Sequence, residues 1–370
     1  WNLIIYSFSK NLNFLSILSV IGTYSLNLIA ISLFTAPTVY ILRKSKKEIG
    51  VCIFLLLLPI IFFVHGNFQK KQFKNKELEK LPYTIRIIAS NISLERFNNK
   101  IETEEVINEL ISLSSPKSNK KIFFIWPEGI IPDTYQNEVF LYADIFNKSF
   151  DEKHLIGLGI TKNQLKNDKY KFYNSFSVFD NKLNLIESYS KIKLVPFGEF
   201  LPFEIVLNRI GLKTITNNLG SFTKGSKRNI IEINNDSTKK LKFLPLICYE
   251  IIYSGNLTKN TNFDFIINIS EDGWFGESIG PKQHFTHSIY RAIETGKYIL
   301  RSSNNGIAAI INPIGEIEKY IDFGNSGFID FEEKRDLNKT IFSTHGNKIF
   351  LIIILLYIFL IFSFNRIRNE

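Results

Sequence analysis

Hydrophobic positions follow two unlike patterns along the chain: three long uncharged runs near its ends and, between them, short β-type segments alternating with stretches of helical period. The first run, 12–42, is broken only by mild polar residues and Pro37 and is long enough to cross the roughly 30 Å hydrocarbon layer of a bilayer. A second, about 49–66, follows the basic loop Arg43-Lys44-Ser45-Lys46-Lys47-Glu48, and a third, Ile349 to Phe364 within a helix expected over 346–365, follows Lys348 and is bounded by Arg366 and Arg368. Each predicts a transmembrane helix. A buried core helix is the alternative for any one run, and charged flanks on all three speak against it. Lys and Arg gather on the cytoplasmic side of membranes. The loop 43–48 and the tail 366–370 are therefore expected in the cytoplasm, and the chain between the second and third spans outside, in the periplasm of a Gram-negative cell. Residues 1–10, with Trp1, Tyr6 and Phe8, have the aromatic character of a headgroup-level segment or of the end of a longer span.

The stretch 67–82, with Lys70, Lys71, Lys74, Lys76 and Lys80, predicts a polar linker into an α/β domain over 83–345. Short runs of β-branched and aromatic residues bounded by Gly, Pro, Asn or Lys predict strands at 83–91, 121–126, 154–160, 174–180, 184–190, 241–248, 263–269 and 307–312. Helical period appears at 101–113, 136–148 and 282–296. Alternating strands and helices imply helices covering a sheet. The loop 199–228, with Phe200, Leu201, Phe203, Ile205, Val206 and Leu207, is too apolar for a solvated connection and is expected to be a lid or an arm dipping into the bilayer surface.

Composition sharpens this picture. Of 370 residues, 45% are hydrophobic, high for a water-soluble chain, and the net charge of +10 is carried by scattered Lys and Arg without an arginine-rich or RNP-like motif, which excludes a nucleic-acid partner. The charge suits a membrane surface instead. Methionine is absent altogether, so the chain is expected to lack its true N-terminus. Two cysteines, Cys52 in an apolar run and Cys248, make no disulfide framework.

Three ionisable residues stand at predicted strand ends: Glu128 after Trp126-Pro127, Lys191 after 184–190, and Cys248 at the end of 241–248. A free thiol is mostly protonated at neutral pH. A carboxylate to take its proton and an ammonium to stabilise the thiolate and a tetrahedral oxyanion would complete a nucleophilic site. The bland alternatives are a core thiol and surface ion pairs. His284 and His287 lie three apart on a predicted helix, but no third ligand at zinc-like spacing accompanies them, and no glycine-rich phosphate loop is present, so neither metal nor cofactor is expected.

Trp126-Pro127-Glu128, Tyr189-Ser190-Lys191 with Leu194-Val195-Pro196-Phe197-Gly198-Glu199, and Ile247-Cys248-Tyr249-Glu250-Ile251 resemble the Glu, Lys and Cys blocks of the nitrilase superfamily, most closely its membrane-embedded branch, the apolipoprotein N-acyltransferases. The stretch Asn268 to Gly276, then Gly280 to His284, Arg291-Ala292-Ile293-Glu294 and Arg301 to Gly306, is similar too. The resemblance implies a nitrilase-like α-β-β-α sandwich flanked by transmembrane helices. It implies Cys248 as nucleophile, Glu128 as general base and Lys191 as the stabilising cation, with Glu199 a second carboxylate, Tyr249 and Glu250 supporting the cysteine loop, and the amide after Cys248 an oxyanion donor. The implied reaction passes an acyl chain from a phospholipid to the thiol and then to the N-terminal diacylglyceryl-cysteine of a lipoprotein, at the bacterial inner membrane. A membrane-tethered amidase is the alternative with the same three residues. The chain departs from the family pattern at Glu271, where Asn is usual, in having Phe97 rather than a Trp after the first domain strand, and in having fewer N-terminal spans.

Overall fold

The structure, a computed structural model, describes residues 2–43, 46–98, 101–117, 119–203, 221–234, 240–255, 257 and 262–368, with side chains to 363. The N-terminal apolar run is not one continuous helix. The Asn11 side chain accepts the Phe14 N–H at 3.1 Å and starts a short α1 (Leu12–Leu15), and α2 (Leu18–Ile41) is broken at Gly22, whose φ of +74° is costly for any residue with a Cβ. That break frees the Thr23 N–H, which donates to Glu294 Oε1 at 2.7 Å, as do the hydroxyls of Thr23 and Ser254 at 2.7 Å. The buried Glu294 carboxylate thus fixes the turn that interrupts the predicted span.

Helix α3 (Lys46–Lys74) overruns the predicted second span at both ends, and the supposed linker is helical to Lys74. Its last turns dock rather than float: Phe73 is 3% exposed in the sandwich core, Gln69 Nε2 donates to Ser19 Oγ at 2.9 Å, and Lys70 pairs with Glu316 at 2.7 Å. Lysine-rich sequence reads as linker because only a few of its side chains, Gln69, Lys70 and Phe73, do the anchoring. Both α2 and α3 are long and apolar enough to cross a membrane. In α3, Phe54, Leu56, Ile60 and Val64 are exposed, as hydrocarbon would favour.

Beyond α3, strict alternation sorts the layers. In β1 (Glu79–Ala89) Tyr83, Ile85 and Ile87 face one core and Ile88 another; in β2 (Ile122–Ile125) Phe123 and Ile125 face the first, Ile122 and Phe124 the second. With β3 (His154–Lys166), β4 (Lys169–Asp180), β5 (Leu185–Ser190) and β12 (Gly327–Lys334) they form a sheet in the order β12-β1-β2-β3-β4-β5. A second sheet runs β11-β10-β9-β8-β7-β6, from β6 (Ile231–Ile233), β7 (Leu241–Ile247), β8 (Phe265–Glu271), β9 (Tyr298–Asn304), β10 (Ala308–Ile311) and β11 (Ile317–Ile321). Phe123 and Phe176 from the first sheet meet Phe243 and Phe265 from the second in the shared core. Helices α4 (Thr103–Ser114) and α5 (Ala143–Ser149) cover the outer face of the first sheet, and α6 (Gly280–Thr295) that of the second. This is the expected α-β-β-α sandwich. After α7 (Ile341–His345) the chain ends in α8 (Lys348–Arg368), apolar through Ser363.

Four strands escape the sequence pattern: β6, β9, β11 and β12. β9 fails it because Arg301, Ser302, Ser303 and Asn304 are all buried there, polar residues where alternation leads one to expect apolar ones. In the 136–148 helix, only α5 is α-helical, preceded by a 3-10 turn at Val139–Tyr142. Trp1 and residues 204–220 of the apolar loop lie outside the described residues.

Candidate active site

Strands β1, β2 and β3 run parallel, as do β7, β8 and β9. Parallel strands deliver their C-terminal ends to one edge, where α/β sites form. Glu128 follows β2, Lys191 follows β5, Cys248 follows β7, and Glu271 ends β8. Pro127, lacking an N–H, ends β2, and Gly159 of β3 lets the Glu128 backbone approach closely, since a Cβ there would sit 2.5 Å from Glu128 Cα.

Lys191 is 1% exposed and its Nζ donates to Glu128 Oε1 at 3.1 Å and to Glu199 Oε1 at 2.9 Å. Asn174 Nδ2 bridges the same two carboxylates at 2.7 Å each. Glu199 is held in turn by the Val195 N–H at 2.9 Å, and Glu128 Oε2 by the Glu271 N–H at 3.0 Å. Two carboxylates, one ammonium and one amide therefore form a closed buried set. Burial opposes the Lys191 charge, yet the Glu128 and Glu199 carboxylates, with Cys248 beyond, hold its pKa well above the ordinary lysine value.

Cys248 is 8% exposed and adopts φ of +47°, a strained value for a side chain other than glycine. Burial pushes its thiol well up, the Glu128 charge adds to that, and Lys191 opposes it. The thiol is thus neutral at rest. Moving its proton to Glu128 leaves the net charge of the set unchanged, so the buried cluster meets no new charge as the nucleophile forms.

Two buried networks hold the strained turn. Glu250, fully buried, accepts the Tyr189 hydroxyl at 2.7 Å, the N–H groups of Ile192 at 3.0 Å, Lys193 at 3.2 Å and Ile247 at 3.0 Å, and pairs with Arg228 at 2.8 Å. One carboxylate thereby ties the segment after Lys191 to the turn at Cys248. Burial, with Glu250 adding to it, drives the Tyr189 hydroxyl far above its ordinary value, so it stays a donor. Tyr249 packs edge-on to Tyr253, ring centroids 5.5 Å apart. The second network is Asp272, His284 and Arg301. His284 lies 2.9 Å from Asp272 Oδ1 through Nδ1 and 3.2 Å from the Cys248 carbonyl through Nε2, and Arg301 donates to Asp272 Oδ2 at 2.7 Å and to Asn268. His287 instead meets the Tyr6 hydroxyl at 2.7 Å, so the two histidines do not share a site.

Burial opposes the Asp272 charge, but Arg301 and His284 hold its carboxyl well below the usual carboxylate range. A depressed folded-state pKa contributes stability above the unfolded value, near 3.8, that is lost as pH falls further. Asp272→Asn strands the fully buried Arg301 and is expected to destabilise by about 3–5 kcal/mol at pH 7. Thermal melts in detergent check this: the deficit should narrow below about pH 4 as wild type loses the same interaction.

Sequence reasoning brought forward Glu128, Lys191, Glu199, Cys248 and Glu250, and the structure gathers them. It missed Asn174, whose only signal was an amide at the start of a strand that alternates polar and apolar residues, and it singled out no partner for Glu271. That partner is Arg96, 175 positions away, joined to Glu271 at 2.5 Å. Phe97, one departure from the family pattern, stacks on Trp274 with centroids 5.5 Å apart and lies under the Arg96 guanidinium that pairs with Glu271, another departure.

Comparison with known proteins follows the same outline. Residues 106–332, more than half of the chain, match the carbon-nitrogen hydrolase family. An apolipoprotein N-acyltransferase of Agrobacterium fabrum is 30% identical over all of this chain and 70% of its own length. Its counterpart in Brucella suis is 29% identical over 89% of this chain and 62% of its own, so the chain spans roughly two thirds of the length of these relatives. Among solved structures, the amidase of Nesterenkonia sp. AN1 matches 70% of this chain and 94% of its own at a TM-score of 0.45 and 10% identity, too loose a likeness to bear on function. This chain belongs to the carbon-nitrogen hydrolase family, within its apolipoprotein N-acyltransferase branch.

Proposed function

We propose that the protein is an N-acyltransferase that moves a fatty acyl chain from a phospholipid to the α-amine of a lipoprotein's diacylglyceryl-cysteine through a thioester on Cys248. The observation that carries this is the buried set of Glu128, Lys191 and Glu199 around a single strained thiol, on a chain whose apolar helices pack directly against the same sandwich. Glu128 takes the thiol proton as Sγ attacks the ester carbonyl carbon. Lys191 and the N–H after Cys248 face the developing oxyanion. The C–O bond breaks, and the proton on Glu128 passes to the departing lysophospholipid oxygen. In the second half the amine attacks the thioester, gives its proton to Glu128 and releases Cys248, which recovers it. Phe197, Phe203 and Trp274 are exposed on the loops that carry Glu199 and follow β8, apolar surface suited to acyl chains.

Under this reading the protein sits in the bacterial inner membrane with residues 67–345 on the periplasmic side. Protease added to intact spheroplasts should cut that domain; full protection would place it on the other side. Glu128→Gln keeps the shape of the base without its proton affinity and is expected to slow single-turnover acylation about 10²–10⁴-fold. Quenched-flow acylation with labelled phospholipid reads this, and a normal rate removes Glu128 as the base. The reading itself is tested by supplying labelled phospholipid and a diacylglyceryl-cysteine peptide. Label on the peptide α-amine is expected; no transfer, with ammonia release from small amides, supports the tethered amidase instead.

A further inference from the structure

Glu128 is held on its Oε2 by a residue that the reaction does not use. The Glu271 N–H donates to that oxygen at 3.0 Å, and the Glu271 side chain is closed off from solvent at 2% exposure. Its Oε2 meets Arg96 Nη2 at 2.5 Å and Asn304 Nδ2 at 2.7 Å, and its Oε1 accepts the Gly273 N–H at 2.8 Å. Arg96, fully buried, comes from the 3-10 turn Leu94–Asn98 after β1. Its guanidinium also donates to the Ser93 carbonyl at 3.1 Å and reaches the carbonyl of Gly129, the residue after Glu128, at 3.4 Å. It lies 4.2 Å over the Phe97 ring.

A dry ion pair of this kind is a weak source of stability, because desolvating each charge offsets most of the attraction, and an apolar pair of similar volume often does as well. What the pair does supply is charge and geometry beside Glu128. We propose that Arg96 and Glu271 are positioning residues for Glu128: the Glu271 N–H and the Arg96 grip on the Gly129 carbonyl fix the carboxylate, and the balanced charges of the pair set the field in which Glu128 and Cys248 exchange a proton. The inference rests on the reading of Glu128 as the base. Burial raises the Glu271 pKa against the pull of Arg96, so the pair's balance depends on Arg96 being there.

Other charged groups face the same proton: Lys191 and Glu199 after β5, Cys248 after β7, and Asp272 after β8 with its partners Arg301 and His284. All of them are retained when only the pair is altered. The alkylation arm reads the thiol without lipid, so it stands even if the acyl-transfer reading fails. In a Cys52→Ala background, the full chain in detergent is alkylated with iodoacetamide across pH and followed by intact mass.

Glu271→Gln leaves the Arg96 cation unbalanced, and its profile is expected to shift down by about half a pH unit or more, read as about threefold faster alkylation on the rising limb. Arg96→Gln is expected to shift it up by a similar amount, and the Arg96→Gln/Glu271→Gln double variant to return it to the parent position. Profiles in place for both single variants overturn the proposal, whatever happens to their melting temperatures, since a purely structural brace moves only the latter. If a neutral variant fails to fold, Arg96→Lys and Glu271→Asp replace it: with charge kept, the alkylation profile should stay in place while acylation slows about tenfold relative to the parent as the Glu128 geometry loosens. A profile that moves in these two, or acylation equal to the parent in both, overturns it as well.

Discussion

Cys248→Ala is expected to abolish acyl transfer, by about 10⁴-fold or more, while leaving the melting temperature nearly unchanged. The two halves of that result follow from different observations. The thiol is the only nucleophile in the Glu128–Lys191–Glu199 set, and no other side chain in the set can form an acyl intermediate that an amine opens readily. The turn at Cys248 is not held by its sulfur. Glu250 clamps it through the Ile247 N–H, and His284 meets its carbonyl, so alanine keeps the backbone in place. Melting curves and lipid-to-peptide transfer on the same preparation separate the two. Transfer that survives in a folded Cys248→Ala protein would move the nucleophile elsewhere.

Lys191→Met has the second largest expected effect and reaches stability as well as rate. Glu128 and Glu199 share Lys191 and Asn174, and removing the cation leaves two buried carboxylates joined by one neutral amide. A deficit of about 3–5 kcal/mol is expected at neutral pH, together with a loss of about 10²–10³-fold or more in acylation as the oxyanion loses its charged partner. The pH dependence has a definite sign. Lys191 has a folded-state pKa above its unfolded value, so its contribution is complete below about pH 10 and is lost only as pH rises through the folded value. In the variant, one carboxylate takes up a proton to relieve the repulsion, so the folded state binds more protons and the deficit shrinks as pH falls. Melts from pH 4 to 8 read this; a deficit that grows on acidification contradicts it.

Much of this architecture was legible in the residues. Uncharged runs of membrane-spanning length mark α2 and α3, a shorter one marks α8, and β-type runs ending at Glu128, Lys191 and Cys248 mark the strand ends that converge. Those signals are local and apolar, which is what periodicity reports. What stayed hidden was polar and distant. Arg301, Asp272 and His284 stand apart in the sequence, and only three elements packing together bring them into one buried network. Glu271 stands out only as a departure from the family pattern and Arg96 not at all, and only the juxtaposition of the turn after β1 with the end of β8 makes them a pair. Lys70 and Phe73 looked like part of a linker because the surfaces that anchor them, Glu316 and the sandwich core, are assembled much later in the chain.

The central claim is that the acyl chain waits on Cys248. Incubating the full chain in detergent with a phospholipid of defined acyl chains, without acceptor, and measuring intact mass tests it directly. The account predicts one added acyl mass, mapped to the Cys248 peptide, removed by neutral hydroxylamine and absent in Cys248→Ala. An unmodified protein that nevertheless transfers acyl chains to a diacylglyceryl-cysteine peptide, or an adduct that resists hydroxylamine, would contradict it.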